Sequence, residues 1–223
     1  MQFRHELKQE INRGDLAVMR ARLKAVCQAD DHSSDGIYLI RSLYFDTPSD
    51  RALREKIDGV CNREKFRIRF YNHDTSFIRL EKKVKRNSLG YKESCSLTLD
   101  EAKNIISGNV LWMKSDQRQL LRELYTEYSI NFLRPKTVVD YTREAFTFPA
   151  GNVRITLDYN IRTGLGSTDM FNKDLPTLPV IDDPIIMEVK WDDYLPSIVK
   201  NTVSLGNRRA GAFSKYAACR VFD

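Results

Sequence analysis

The chain has 223 residues, 42% of them apolar, enough for one sizeable β-rich domain and too apolar for a disordered polymer. Thirty-six Lys and Arg against 30 Asp and Glu leave a net charge of +6, which suits an anionic partner but does not imply tail-like, non-specific binding. No apolar run reaches membrane-spanning length and the first residues lack a signal peptide's apolar core, so a soluble, cytoplasmic chain is expected.

In chain order, period-two alternation predicts a strand over 3–11. A helix over 15–28 follows, with Leu16, Met19, Leu23 and Val26 on one face. A strand over 37–46 leads to a helix over 48–58, whose first turn accepts Pro48. Asp46 or Thr47 is its expected cap. Three strands, 63–71, 76–86 and 91–97, come next. Thr98 and Glu101 have the spacing of a capping box for a helix over 99–107, which Gly108 would end. Ser115 is read as the start of another helix carrying Leu120, Leu121, Leu124 and Tyr128. Strands over 136–148 and 153–162 precede the one long irregular stretch, 163–184, expected to be mobile. A strand over 185–191, a short helix after Pro196 and a closing helix complete the reading.

The strands share one peculiarity. In "KFRIRF", residues 65–70, Lys65, Arg67 and Arg69 alternate with Phe66, Ile68 and Phe70. A strand sends alternate side chains to opposite faces, so one side is greasy and the other wholly basic. The same holds in "IRLEKKVK" (Arg79, Glu81, Lys83 and Lys85 on the polar side), "VRITLDYNIRTG" (Arg154, Asp158, Arg162) and "IIMEVKW" (Glu188, Lys190). With Arg4, Glu6, Lys8 and Glu10 of the first strand and Arg143, the polar faces carry twelve cations against five acids. Cations this dense repel one another and call for a bound anion. About eight strands can close into a barrel whose interior alternates with its exterior. An α+β fold follows: an antiparallel eight-stranded β-barrel tunnel with a polar, basic lumen and helices packed outside, in a single domain spanning 1–223. Nucleic acid is not the expected anion, since Phe66 and Phe70 point away from Arg67 and Arg69 instead of stacking bases beside them. Cys27, Cys61, Cys95 and Cys219 are widely spaced, as are His5, His32 and His73. Any metal would therefore be held by carboxylates, which favours Mg²⁺ or Mn²⁺.

"RHELKQEI", "SLYFDTP", "KFRIRFY", "LEKKVK", "GYKES", "DYTREAF", "VRITLDYNI", "MEVKW" and "FSKY", in this order over almost the whole chain, resemble the VTC domain. This is the polyphosphate polymerase module of the triphosphate tunnel metalloenzyme (CYTH-like) superfamily. The resemblance implies a tunnel that binds ATP with Mn²⁺ or Mg²⁺ and transfers the γ-phosphoryl group to growing inorganic polyphosphate. It further implies phosphate-binding roles for Lys8, Arg67, Arg69, Lys83, Lys92, Arg143, Arg154 and Lys215. Glu188 takes the metal, and Arg67, Glu188 and Lys215 become the catalytic set. Tyr44 and Asp46 are read as structural, and Glu81 as a salt-bridge partner. One departure is Arg4, a cation where related triphosphatases and cyclases begin with an acid. Two alternatives therefore accompany the polymerase: a tunnel triphosphatase acting on nucleoside or inorganic triphosphate, and a non-catalytic polyphosphate-binding subunit. A separate membrane-protein partner is a further implication of the resemblance; oligomeric state has no signature here.

Overall fold

A computed structural model describes residues 4–30, 36–86, 89–206 and 208–221. Among the described residues, ten strands and six α-helices run as β1 (His5–Ile11), α1 (Arg13–Val26), β2 (Gln28–Ala29), β3 (Ile37–Asp46), α2 (Arg51–Ile57), β4 (Arg63–Tyr71), β5 (Asp74–Arg86), β6 (Leu89–Leu97), α3 (Leu99–Ser107), α4 (Gln119–Ile130), β7 (Arg134–Phe148), β8 (Val153–Thr163), β9 (Leu178–Pro179), β10 (Ile185–Trp191), α5 (Ser197–Thr202) and α6 (Lys215–Cys219). Eight strands follow the path β1-β10-β8-β7-β3-β4-β5-β6, with β2 on β7 and β9 on β8. The pairings of β1 with β10, β10 with β8, and β3 through β6 are antiparallel. The fold is α+β on an antiparallel eight-strand path, as the alternation implies.

Local chemistry sets the helix boundaries. Asn12 accepts from the Asp15 amide at 2.8 Å while the Asp15 carboxylate accepts from Asn12, a capping box that starts α1. Thr98 and Glu101 do the same for α3, and Gly108 ends it at φ 85°. Two expected starts move. The segment after Pro48 turns before becoming helical at Arg51, with Thr47 Oγ1 accepting from the Arg51 amide and Asp46 from Ala52 and Leu53. Ser115 does not start α4 but ends a 3₁₀ turn, Leu111–Ser115. Asp116 then binds the Arg118 amide and guanidinium, delaying the α-helix to Gln119.

The chain forms two compact units. The first comprises Met1–Leu39, Tyr141–Ile161 and Pro179–Phe213; the second Ile40–Asp140, Arg162–Leu178 and Ser214–Asp223. In the first, Met19 and Leu23 of α1 and Val199 of α5 lie among Ile155, Leu157, Met187 and Val189 of β8 and β10. In the second, Ala102 and Ile105 of α3 and Leu121 and Leu124 of α4 cover Phe66, Ile68, Leu80 and Phe45. In both, the helices bury the apolar side of the sheet, and the charged side is the opposite one. Each fully buried Leu, Ile or Phe contributes about 1.5–3 kcal/mol, so these helix-covered faces hold the strands in place.

The irregular stretch after β8 is packed, not loose. Met170 is fully buried and Phe171 stacks on Phe70 at 5.6 Å. Arg41, buried and bidentate to Asp140 at 2.8 and 2.7 Å, also donates to the Asn172 carbonyl at 2.5 Å.

Asp46 ties three segments together. Its carboxylate accepts from the amides of Thr47 and Ala52 at 2.8 Å, from Leu53 at 3.2 Å and from the Tyr216 hydroxyl at 2.7 Å. Asp46→Ala strands a buried hydroxyl and uncaps α2, so urea unfolding is expected to show a loss of about 2–4 kcal/mol. A loss below about 1 kcal/mol would mean that water substitutes for the carboxylate.

Candidate functional site

The registers of β3 to β6 turn the alternation of the second unit into rows. Lys65, Lys83 and Lys92 are successive cross-strand partners on β4, β5 and β6. The next row is Tyr44, Arg67, Glu81 and Ser94, and the one beyond is Ser42, Arg69, Arg79 and Ser96. On this face β4, β5 and β6 present eight cations (Arg63, Lys65, Arg67, Arg69, Arg79, Lys83, Lys85 and Lys92) against one acid among the described residues, Glu81. Like charges directly opposite each other destabilise a sheet.

Glu81 offsets part of that cost. Its Oε2 lies 2.7 Å from Arg67 Nε and 3.7 Å from Arg69 Nη1, and its Oε1 2.8 Å from Lys92 Nζ. Burial opposes its ionisation, but Arg67, Arg69 and Lys92 hold the carboxyl far below the usual carboxylate range. Arg69 also donates to Ser42 at 3.1 Å, and Arg79 to Ser94 and Ser96, both at 2.9 Å.

Tyr44 stands in the same row, 2% exposed. Its hydroxyl accepts from Arg67 Nη1 at 2.9 Å, and Lys65 and Arg67 lie 5.3 and 5.7 Å from its ring centroid. Burial works against ionisation, yet Arg67, Lys65 and Arg69 bring the hydroxyl down to about 7. Its ring stacks at 5.0 Å on Tyr216, the residue after Lys215 at the start of α6. The "FSKY" segment is thereby fastened to β3 and the basic rows.

In the first unit the polar face is balanced. Lys8 and Glu188 are cross-strand partners, with Thr156 beyond; Glu6, Lys190 and Arg154 form the neighbouring row. Lys8 Nζ is 2.5 Å from Glu6 and 3.4 Å from Glu188, and Lys190 is 2.5 Å from Glu188. Burial disfavours the Lys8 charge, but Glu188 and Glu6 outweigh it and raise its pKa. Arg143, part-buried, is kept charged by a bidentate pair with Asp158 at 2.6 and 2.7 Å. Arg154 reaches Asp30 at 2.5 Å and the Tyr38 hydroxyl at 2.8 Å. Arg154 Nε and Thr156 Oγ1 are both buried without a hydrogen-bond partner.

The cations named from the sequence therefore fall in two groups: Arg67, Arg69, Lys83, Lys92 and Lys215 in the second unit, and Lys8, Arg143 and Arg154 with Glu188 in the first. The sequence reading put Lys65 on the basic face without a site role and took Tyr44 as structural, although Tyr44 stands in the row of Arg67 and Lys65 in the row beside it. It missed Asp30, which lies outside the long strands. The expectation of unrelieved repulsion is corrected: in the first unit Lys8, Arg143, Arg154 and Lys190 each have a carboxylate within ion-pair distance. Excess charge is concentrated on β4 to β6.

No three His, Cys, Asp or Glu side chains among the described residues gather into a cluster that could hold a metal unaided. Glu188, with Glu6 near the same two lysines, offers the hard oxygen donors that suit a divalent ion still carrying water or phosphate oxygens.

On the antiparallel sheet, helices cover the apolar side and rows of Arg and Lys occupy the other. The chain belongs to the VTC domain family, whose model matches residues 3–222. Among solved structures it is similar to a Hippeastrum protein named as an adenylyl cyclase and described as having a dominant triphosphatase activity; identity is 14%, with 99% of this chain and 95% of that one covered and a TM-score of 0.59. It is also similar to a Bacillus halodurans protein named as an adenylate cyclase, with 12% identity, 85% and 80% coverage and a TM-score of 0.54. No curated protein matches the sequence.

Glu81→Gln removes the carboxylate that Arg67, Arg69 and Lys92 share, at an expected cost of about 2–4 kcal/mol near neutral pH. Because the folded carboxyl lies below its ordinary value near 4.5, its stabilisation is present above that pH and fades as pH falls further. The gap between wild type and variant in urea melts should therefore shrink below about pH 4. A gap that stays constant into acid would mean that charge is not what Glu81 supplies.

Proposed function

We propose that the chain is a polyphosphate polymerase, transferring the γ-phosphoryl group of ATP to the end of a growing inorganic polyphosphate chain. The observation that carries this reading is the face of β4 to β6, where eight cations stand against Glu81 alone. A multiply charged, flexible polyanion is the ligand such rows suit, since each charge-assisted hydrogen bond contributes about 1.5–3 kcal/mol.

Within the second unit, Arg67 and Arg69 present planar guanidinium forks to phosphate oxygens, and Lys83 and Lys92 act as point charges along the chain. Lys215, held by the Tyr216–Tyr44 stack, and Arg67 are assigned to the charge that develops on the transferred group. Within the first unit, Lys8, Arg143 and Arg154 exchange carboxylate partners for phosphate oxygens. The buried Arg154 Nε and Thr156 Oγ1, both able to donate, fit an anion as well. Glu188 is the assigned carboxylate for Mn²⁺ or Mg²⁺, which when bound neutralises charge on the phosphates. Phosphoryl transfer depends on in-line positioning and charge neutralisation, and the acceptor end of polyphosphate is already an anion. No general base is required. No helix among the described residues is long and apolar enough to cross a membrane. A cytoplasmic location, with membrane association through a separate partner protein, belongs to the same proposal.

Hydrolysis is the second reading, favoured by the Hippeastrum neighbour's described activity and by Glu6 lying beside Glu188. Against it, the first-strand position that carries an acid in many tunnel triphosphatases is Arg4, here paired with Asp192 at 2.7 Å.

Incubation with ATP and Mn²⁺ followed by polyacrylamide electrophoresis separates these readings. Anionic ladders are expected; ADP and phosphate alone would point to hydrolysis, and tight polyphosphate binding without turnover to an accessory binder. Glu188→Gln should lower turnover about 100-fold. It should leave polyphosphate affinity equal or tighter, because Lys8 and Lys190 lose a competing carboxylate. Parallel losses of both would remove the metal role.

A further inference from the structure

Tyr44 occupies a place that phenylalanine would fill equally well for packing. Its ring is sandwiched between Tyr216 and the Lys65 and Arg67 side chains, interactions that need no hydroxyl. Among the described residues the hydroxyl does one thing: it accepts from Arg67 Nη1, while Glu81 takes the Nε edge of the same guanidinium. We propose that Tyr44 is a positioning residue of the phosphate-binding face, its hydroxyl standing in for a phosphate oxygen on Arg67 and giving up that place when polyphosphate binds. The inference rests on the reading of this face as a phosphate site.

The surroundings make the exchange one of charge as well as contact. From β4, Lys65, Arg67 and Arg69 act on Tyr44; from β5, Glu81 lies beyond Arg67 and Arg69. α6 with its C-cap carries Lys215, Tyr216 and Arg220, and β3 itself Asp46, but Tyr216 donates to Asp46 and Arg220 donates to Tyr216 and Asp50. Three cations thus dominate, and they hold the hydroxyl near 7, so at neutral pH it is partly phenolate. A phosphate arriving at Arg67 places a second anion beside that oxygen. Repulsion raises the pKa in the complex, and the phenolate takes one proton from solvent to become a neutral phenol. No covalent bond forms or breaks other than this O–H. Binding is therefore strongest below about pH 7 and weakens as pH rises through the value of the free protein.

The test is calorimetric titration of the full chain with long-chain inorganic polyphosphate, whose internal phosphates stay fully ionised throughout, comparing wild type with Tyr44→Phe. Between about pH 6.5 and about pH 8 the wild type should lose roughly five- to tenfold in affinity relative to the variant. In buffers of differing ionisation enthalpy it should also take up more protons than the variant. A second measurement needs no variant: in wild-type protein labelled at tyrosine Cζ, one of the ten tyrosines should titrate near neutrality, and polyphosphate should abolish that titration. Parallel pH profiles with equal proton counts, or no tyrosine moving near neutrality, overturn the role of Tyr44 and leave the polymerase reading intact. The expected proton difference together with absent ATP-dependent ladders supports Tyr44 and removes the polymerase instead. Failure of polyphosphate to bind overturns both.

Discussion

Glu81 sits in the middle of a sheet face on which β4, β5 and β6 present eight cations, and the pairing of these strands depends on how that repulsion is contained. One carboxylate reaches Arg67, Arg69 and Lys92. The row Lys65–Lys83–Lys92 opposes like charge to like across two strand boundaries. Electrostatics alone would not assemble these strands. Phe66, Ile68 and Leu80 on their reverse side, beneath α3 and α4, supply the burial that does. The two faces of the same strands have different duties: one stabilises, the other remains under electrostatic strain that an anion would relieve.

The first unit resolves the same problem differently. Its cations stand opposite acids in register, Lys8 to Glu188 and Glu6 to Lys190, and Arg143 and Arg154 find Asp158 and Asp30. A charge already paired contributes little long-range attraction, but it can change partner when a stronger anion arrives. The second unit is thus the source of the positive field, whereas the first keeps its cations paired. That division gives a reason for the modest net charge: the chain as a whole is only mildly basic because just one of its strand groups is left unbalanced.

Segments distant along the chain acquire meaning from single contacts. Tyr216 lies 170 residues beyond Asp46, yet their hydrogen bond and the Tyr44 stack put Lys215 at the end of a helix anchored to β3. Arg41 and Asp140 similarly fasten the stretch holding Met170 and Asn172. Without such ties, long polar segments would be free to move, and the charged rows would lose the rigid backing that fixes their spacing.

Strand positions, the capping box of α3 and the assignment of side chains to a greasy or a basic face were legible in the sequence alone. Each depends on local rules: period-two alternation for β4 and β10, and a Thr98–Glu101 box for α3. The start of α4 was misread because Ser115 closes a 3₁₀ turn and Asp116 holds the Arg118 amide and guanidinium, so the α-helix begins at Gln119 without a side-chain cap. What only the tertiary structure decided is partnership: that Glu81 answers three cations, that Asp30 answers Arg154, and that Tyr44 faces Arg67 instead of merely filling space. Parity says which side a residue occupies. Register and the folding back of distant segments say what stands beside it, and charge, hydrogen bonding and pKa depend on that neighbour.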